Sequence, residues 1–257
     1  MPEGDTLVNL ADRLRPALAG RELAAIEVRR NRYPLPALGT PIDAVEAAGK
    51  HLLITFGDGN VLHSHLRMTG TWHLYRTGER WRDEPGAMRA RVAVEGHEAV
   101  LFRAPTVRLW PPRLPGERPW QRLGPDLCRP PVDLDAVLAR ARAGDPNREI
   151  GDLLLDQHVA AGVGNVYKSE ALFAERIHPQ TAVGALDDET LRALYATASR
   201  QLVANIGRSD RRTHRRGLAV YGKVRQGCPD CYTAIRTTRQ GDLERLTYWC
   251  PQCQPTP

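Results

Sequence analysis

The sequence predicts an α+β protein of two domains. The first is an N-terminal antiparallel β-sandwich with an N-terminal helix, and the second is a helical domain that ends in a four-cysteine zinc-finger hairpin. Short β-like runs fill residues 23–110, a proline-rich segment follows, and helical apolar spacing begins at residue 133. A chain of 257 residues is long enough for two modest cores.

The first predicted element is a helix that starts near residue 5. Leucines recur at i, i+3, i+7 and i+11, which puts them on one face of a helix, at Leu7, Leu10, Leu14 and Leu18. Asp5 or Thr6 is a suitable N-cap for this helix, and Gly20 is a suitable end.

Seven short runs rich in branched and aromatic residues follow the helix, at 23–28, 51–56, 61–66, 71–75, 90–94, 99–102 and 107–110. Turn sequences, such as the Gly-Asp-Gly-Asn at 57–60, separate them. Many short strands with this punctuation predict an antiparallel sandwich. Residues 115–131 are rich in proline, which fixes φ and removes hydrogen-bond donors. We interpret them as a linker between a sandwich domain at 1–114 and a helical domain at 132–222, with the zinc hairpin at 223–257.

Two predicted helices in the second domain are joined by a glycine turn. The first begins at Ile150 and stops near Gly162, and the second begins at Asn165. The N–H groups at the start of the second helix favour a phosphate, and Asn165 can cap this helix or donate to a phosphate oxygen. The alternative interpretation is an ordinary helical hairpin.

Four cysteines near the end of the chain form two close pairs separated by 18 residues, at Cys228, Cys231, Cys250 and Cys253. This spacing is typical of four thiolates around one tetrahedral Zn²⁺. A metal closed by four protein ligands has no position for water, so we expect one structural zinc ion. Disulfides or unused thiols are the alternatives, and no secretory leader favours disulfides.

The charge balance favours a polyanionic partner without proving one. The chain has 36 basic and 30 acidic residues, a net charge of +6. A basic run lies just before the cysteines and contains Arg208, Arg211, Arg212, Arg215, Arg216, Lys223 and Arg225. No apolar stretch approaches the ~20 residues that a membrane span needs. We expect a cytoplasmic monomer, associated with the nucleoid if the source is bacterial, and no membrane partner.

Residues 156–173, DQHVAAGVGNVYKSEALF, resemble the helix–two-turn–helix signature of the formamidopyrimidine-DNA glycosylase/endonuclease VIII family. Three further blocks match in order: PEG at 2–4, VYGK at 220–223 and YWCPQCQ at 248–254. The resemblance therefore covers nearly the whole chain, and the PEG start favours the endonuclease VIII branch. It implies a bifunctional DNA glycosylase and abasic-site lyase of base excision repair, whose partner is DNA with oxidised bases or abasic sites.

The resemblance implies that Pro2 is the nucleophile and Glu3 its acid/base partner. Removal of Met1 exposes a secondary amine, and an α-amino group titrates near ~8, so a useful fraction is neutral. Attack on sugar C1′ yields a cationic iminium, which acidifies C2′ and permits β,δ-elimination. The family often carries another glutamate where this chain has Thr6. Either Asp5 substitutes for that glutamate, or the assisting step differs.

The resemblance also implies the residues that contact DNA. Lys50 supports the chemistry from the start of a strand, His65 contacts a phosphate, and Met68 fills the gap left by an everted base. Asn165 and Arg245 contact phosphates. Without the resemblance, an ordinary strand-edge lysine, a satisfied histidine and a core methionine are the simpler interpretations. Arg236 and Arg239 are interpreted as solvent-exposed.

Two questions stay open at this point. The PEG start favours oxidised pyrimidines as substrates, whereas Met68 resembles the branch that excises oxidised purines and formamidopyrimidines. A protein of another class, a non-catalytic zinc-containing DNA-binding protein, would share the helix pair and the zinc hairpin. Pro2, Glu3 and Lys50 discriminate, because a protein that only binds DNA does not need that set.

Overall fold

The computed structural model describes residues 2–114, 116–241 and 244–256. These residues divide into two compact units. The sandwich unit comprises Pro2 and Thr6–Trp120. The second unit, which we call the helix–zinc unit after its predicted zinc hairpin, comprises Glu3–Asp5 and the chain from Gln121 onward. No helix in the described ranges has both the length and the apolar character needed to cross a bilayer.

The sandwich unit consists of two antiparallel four-stranded sheets, as predicted. The first sheet has the order β1, β6, β7, β5, formed by Ala25–Val28, Met88–Val94, His97–Phe102 and Thr71–Arg76. The second has the order β2, β3, β4, β8, formed by Ile42–Ala48, His51–Phe56, Val61–His65 and Thr106–Trp110. Apolar side chains from both sheets share one core, because alternate residues of each strand point to the same face.

Strand β2 was not predicted from the sequence. Its residues, IDAVEAA, are poor in the branched and aromatic types that favour strands. A register shift between Ile42 and Ala44 also interrupts the two-residue alternation. Pairing with β3 and full burial of Ile42 and Val45 form this strand, so it depends on tertiary contacts.

The N-terminal helix α1 spans Gly4–Leu18. The predicted stripe of four leucines is confirmed, since all four are buried in the core of the sandwich unit. The predicted cap at Asp5 or Thr6 is wrong, because the helix begins at Gly4. The Asp5 carboxylate accepts hydrogen bonds from Tyr167 and Arg211 instead of capping the helix.

The helix–zinc unit contains four helices and a hairpin in its described part. These are α2 Leu134–Arg142, α3 Ile150–Leu153, α4 Asn165–Ala174, α5 Asp188–Ala204, β9 Arg236–Gln240 and β10 Arg245–Trp249. Helix α4 is central: each residue from Asn165 to Phe173 is buried. A helix that is buried on all sides needs partners for its polar side chains as well as for its apolar ones.

The helix predicted from Ile150 to near Gly162 is much shorter than expected, because α3 ends at Leu153. Local side-chain hydrogen bonds replace the helix beyond that point. Asp156 accepts from the backbone N–H of His158, and the Gln157 amide donates to the carbonyls of Leu155 and Val163. Such bonds compete with the helical pattern.

Candidate functional site

The carboxylate of Glu3 lies at the N-terminus of α4. It accepts hydrogen bonds from the backbone N–H groups of Gly164 and Val166 at 2.7 Å each and of Tyr167 at 3.3 Å. The Glu3 side chain is fully buried. Sequence reasoning left open a phosphate at this helix end; in the structure the protein's own carboxylate accepts from these N–H groups, and the phosphate contact of Asn165 stays a prediction. Charge-assisted bonds and the helix dipole stabilise the ionised form of Glu3.

Gly164 makes this contact possible. A Cβ atom at this position would lie 2.4 Å from Cδ of Glu3, closer than two carbon atoms can approach. The backbone N–H of Gly4 also donates to the carbonyl of Gly162 at 2.9 Å. The glycine turn before α4 therefore leaves space for the segment that carries Glu3.

Asp5, two residues after Glu3 in the chain, makes a second set of buried contacts. Its carboxylate accepts from the Tyr167 hydroxyl at 2.7 Å and from Nε and Nη2 of Arg211 at 2.7 and 2.6 Å. Burial and the Asp5 charge raise the pKa of Tyr167. Burial alone would lower the pKa of Arg211, but the hydrogen bonds and charge of Asp5 raise it. Sequence reasoning did not find the role of Arg211, because only the fold brings residues 5 and 211 together.

The polar side of α4 holds strand β10. The Asn165 amide donates to the carbonyl of Leu246 at 2.6 Å, and Ser169 Oγ accepts from the backbone N–H of Tyr248 at 3.3 Å. Between them, Lys168 Nζ donates to Oγ1 of Thr247 at 2.6 Å. The prediction that Asn165 caps the helix is wrong, since Gly164 is the N-cap residue.

Lys168 is a fully buried lysine that the sequence analysis did not single out. Burial, and to a smaller extent the charge of Arg245, lower its pKa from 10.5 to about 7. The signal in the sequence was the spacing of Asn165, Lys168 and Ser169 at i, i+3 and i+4, which puts three polar side chains on one face of the helix.

Arg245 is half-buried at the first position of β10, and the next three residues of that strand are those held by α4. The Arg245 backbone is therefore fixed by a buried helix. Arg236 and Arg239 are exposed, which confirms the expectation for both.

The four cysteines of the tail form one cluster. Their Sγ atoms all lie within 4.8 Å of one another, and three separations are 3.4, 3.6 and 3.8 Å. All four thiols are free, and these separations far exceed a ~2 Å disulfide bond. A tetrahedron of sulfur atoms ~2.3 Å from Zn²⁺ has edges of roughly 3.8 Å, so the cluster fits such an ion.

In the sandwich unit, Pro2 is half-buried and lines a cavity of about 340 Å³. Thr6, Leu66 and Gly70 line the same cavity. Met68 lies in the turn between Leu66 and Gly70, and 70% of its surface is exposed. The interpretation of Met68 as a core methionine is therefore wrong.

Lys50 precedes strand β3 in a tight turn, where Gly49 has a positive φ of 54°. His65 ends β4 and is the register partner of His51, the first residue of β3. Nδ1 of His51 and Nε2 of His63 are 2.7 Å apart, so the three imidazoles form one group. Sequence reasoning found His65 but missed His51 and His63, which lie together with it only because β3 and β4 pair.

These three imidazoles are neutral at pH 7. Burial is the largest cause; repulsion between the imidazoles themselves, for His63 and His65, and nearby Lys and Arg side chains add to it, which lowers the pKa of His51 to about 4 and those of His63 and His65 to about 3. Lys50 and Arg67 are among the cations that act on His65. The start of β3 and the end of β4, with positive Lys50 and Arg67 beside neutral imidazoles, are therefore suited to binding an anion.

Comparisons with known proteins cover the chain from end to end. The family model "Formamidopyrimidine-DNA glycosylase N-terminal domain" matches residues 1–107, and the "Formamidopyrimidine-DNA glycosylase H2TH domain" matches residues 123–215.

Two relatives and one solved structure illustrate the match. The "Probable endonuclease 8 2" of Streptomyces coelicolor is 40% identical over 100% of this chain and 95% of that protein. The "DNA-(apurinic or apyrimidinic site) lyase Nei2" of Mycolicibacterium smegmatis is 38% identical over 99% of each. The crystal structure of the MutM (Fpg) protein from Thermus thermophilus superposes with a TM-score of 0.81 at 29% identity and covers 100% of both chains.

Proposed function

The chain belongs to the formamidopyrimidine-DNA glycosylase family, and from that premise we propose that it is a DNA glycosylase and abasic-site lyase that excises oxidised bases. The observation that carries the proposal is the carboxylate of Glu3, buried on three backbone N–H groups next to Pro2 in the chain. Glu3 also stabilises the N-terminus of α4, but a protein that only binds DNA does not need this carboxylate together with Pro2 and Lys50.

Pro2 is the proposed nucleophile. After loss of Met1, its secondary amine attacks C1′ of the damaged nucleotide, the C1′–base bond breaks and the base leaves, and the C1′–O4′ bond then breaks as the sugar ring opens. At an abasic site the amine adds to C1′ of the ring-opened sugar, and the C1′ hydroxyl leaves as water. The nitrogen then shares a double bond with C1′ and has no hydrogen left, so the adduct is a cationic iminium. This cation draws electrons from C2′ and prepares the β- and δ-elimination steps that cut the strand.

Glu3 is the proposed proton carrier. When the amine attacks, its nitrogen becomes positively charged and must lose a proton before the iminium forms. An ionised carboxylate accepts that proton and gives it to O4′ as the sugar ring opens. The three N–H donors fix the position of this carboxylate.

The remaining candidates bind and position DNA in this proposal. Lys50 and His65 contact the backbone near the lesion, and the exposed Met68 fills the space of the everted base. Arg245 contacts phosphates through its guanidinium. Asn165 supports that contact by holding β10 through Leu246. The four cysteines hold one structural Zn²⁺, which fixes the hairpin and supplies no reacting atom.

Oxidised pyrimidines are the proposed substrates, in agreement with the PEG start and with the endonuclease 8 and Nei2 names of the two relatives. Oxidised purines and formamidopyrimidines are the alternative. A turnover panel of thymine glycol, 5-hydroxyuracil, 8-oxoguanine and a formamidopyrimidine in matched duplexes decides between them. Faster cleavage at the purine lesions would reject the pyrimidine assignment.

The rate at which the Glu3→Gln variant cleaves DNA tests the proposed glycosylase and lyase function. The amide keeps the size of the side chain but cannot shuttle a proton, so we expect the variant to cleave abasic DNA ~100-fold or more slowly while it binds that DNA like the wild type. Equal cleavage rates would reject the role of Glu3. Binding without any cleavage by the wild type would favour the non-catalytic alternative.

A further inference from the structure

Arg211 differs from the rest of the basic run in where its side chain lies. Its side chain is only 18% exposed, and its guanidinium forms a two-pronged ion pair with Asp5, whose side chain is 4% exposed. It also lies over the ring of Tyr167, 5.2 Å from the centroid. Arg208, Arg212, Arg215 and Arg216 are more exposed. Arg211 is therefore directed into the helix–zinc unit while its neighbours face solvent.

The backbone that carries Arg211 is fixed as well. Asn205, which is 1% exposed, follows α5 and accepts from the backbone N–H of Arg212 at 2.6 Å. The Asn205 amide donates to the carbonyl of Arg212 at 2.9 Å. These two bonds close the loop after α5 and set the direction from which Arg211 reaches Asp5.

The segment Glu3–Asp5 is held at each of its three residues. Glu3 is bound by the N-terminus of α4, Gly4 by the carbonyl of Gly162, and Asp5 by Tyr167 and Arg211. Among these anchors, Arg211 is the one that brings a positive charge. Two buried carboxylates lie close together here, and the charges of both act on Arg211. Loss of the guanidinium would remove that cation from beside two buried acids, a costly change.

We propose that Arg211 is a positioning residue for Glu3 and not a DNA contact. Through Asp5 it keeps the N-terminal segment in place, so that the Glu3 carboxylate stays on the N–H groups of Gly164 and Val166. This inference rests on the proposed function, because it assigns Arg211 to the step that Glu3 performs. The basic run therefore has two roles in this proposal: its exposed arginines contact DNA, and the buried Arg211 positions Glu3 for catalysis.

Single-turnover cleavage of abasic DNA by Arg211→Ala separates the two roles, since rate and affinity are measured independently. A displacement of Glu3 of ~1 Å predicts a rate ~100-fold below wild type with a Kd within about twofold. Arg215→Ala, an exposed member of the same run, is the matched contrast and should weaken binding in a salt-dependent way. A raised Kd with an unchanged rate in Arg211→Ala would overturn the proposal.

Chemical rescue distinguishes positioning from a general loss of structure. Guanidinium ion at millimolar concentration should restore part of the rate of Arg211→Ala, because it can enter the space beside Asp5. It should restore nothing in the double variant with Asp5→Asn, and sodium chloride at equal ionic strength should restore nothing in either. Equal rescue by sodium chloride would contradict the proposal.

A second variant covers the case in which Arg211→Ala does not fold. Arg211→Lys keeps the positive charge but loses the two-pronged guanidinium, so we expect cleavage ~10-fold slower than wild type. Cleavage at the wild-type rate would overturn the proposal. If the wild type itself neither cleaves nor nicks abasic DNA, the proposed function fails. If the wild type cleaves and Arg211→Ala matches it, only the inference about Arg211 fails.

Discussion

At the scale of single residues, the site depends on the close approach of the Glu3 side chain to the backbone at Gly164 more than on unusual residue types. Glu3 sits on backbone N–H groups because Gly164 has no side chain to exclude it. Sequence reasoning identified Gly164 as part of a turn and Glu3 as an acid/base candidate. It could not join them, because 161 residues separate the two and nothing in the pattern states their distance.

Gly164→Ala should displace Glu3. The added methyl group would lie 2.4 Å from the Glu3 Cδ atom, so the carboxylate must leave its N–H donors. We expect cleavage of abasic DNA to fall ~100-fold. Gly144→Ala is the control, because its Cβ would meet nothing closer than 3.9 Å. If both variants cleave at the same rate, the fit around Gly164 is not what positions Glu3.

Met68→Ala should change binding to damaged DNA and leave folding intact. The side chain is 70% exposed, so its loss creates no cavity and Tm should stay within about a degree or two of wild type. The affinity for an abasic-site duplex should fall relative to undamaged DNA. Met88→Ala is the contrast: Met88 is buried, and its truncation should cost ~2–5 kcal/mol of unfolding free energy. A large fall of Tm in Met68→Ala would restore the core interpretation.

At the scale of helices and strands, elements with a local sequence pattern could be predicted, whereas elements that depend on tertiary contacts could not. The leucine stripe of α1 follows from helical periodicity, and strands such as β3 and β4 follow from short β-like runs between turn residues, so the sequence predicted them. Strand β2 lacks that periodicity and exists because β3 pairs with it. Helix α3 is cut short by the hydrogen bonds of Asp156 and Gln157, which compete with a pattern that looks helical. The four-cysteine cluster was predictable because the ligands of a metal site impose a spacing on the sequence.

Cys250→Ser should release the zinc ion, because a site with three thiolates binds the metal more weakly. It should also loosen the hairpin, because the free energy of metal binding stabilises the folded tail. We expect less than one equivalent of zinc by elemental analysis and weaker DNA binding, since β10 carries Arg245. Cys128→Ser, a change at the cysteine outside the cluster, should keep one equivalent. Full zinc content and unchanged affinity in Cys250→Ser would refute the site.

The histidine group of β3 and β4 should make stability fall in mild acid. The folded protein holds these imidazoles at pKa values of about 3 to 4, below their ordinary value of 6.5. Between pH 6.5 and 4 the unfolded chain therefore binds more protons, so the free energy of unfolding decreases as the pH falls.

Removing one titrating ring should make that decrease shallower. At pH 4.5, each histidine that the fold keeps neutral lowers the free energy of unfolding by on the order of 2 kcal/mol. Thermal unfolding of His63→Gln from pH 7 to 4.5 should show a smaller loss of Tm than the wild type. Parallel curves for the two proteins would show that His63 does not titrate as the structure indicates.

At the scale of the whole molecule, the candidate nucleophile and its proton carrier belong to different units. Pro2 is part of the sandwich unit, and Glu3 is part of the helix–zinc unit. The peptide bond that links the proposed catalytic pair is therefore also one of the places where the chain passes from one unit to the other. The resemblance to a family named the members of this pair, whereas the buried partners of Glu3 and Asp5 became visible only in the folded chain.

The central claim is that the nitrogen of Pro2 forms a covalent bond with the sugar of damaged DNA. Borohydride reduction of the wild-type protein with an abasic-site duplex tests it most directly, followed by digestion and mass mapping of the adduct. We predict one adduct per chain, on residue 2, in protein that has lost Met1. A duplex that binds without an adduct, or an adduct mapped to another amine such as Lys50, would contradict the account.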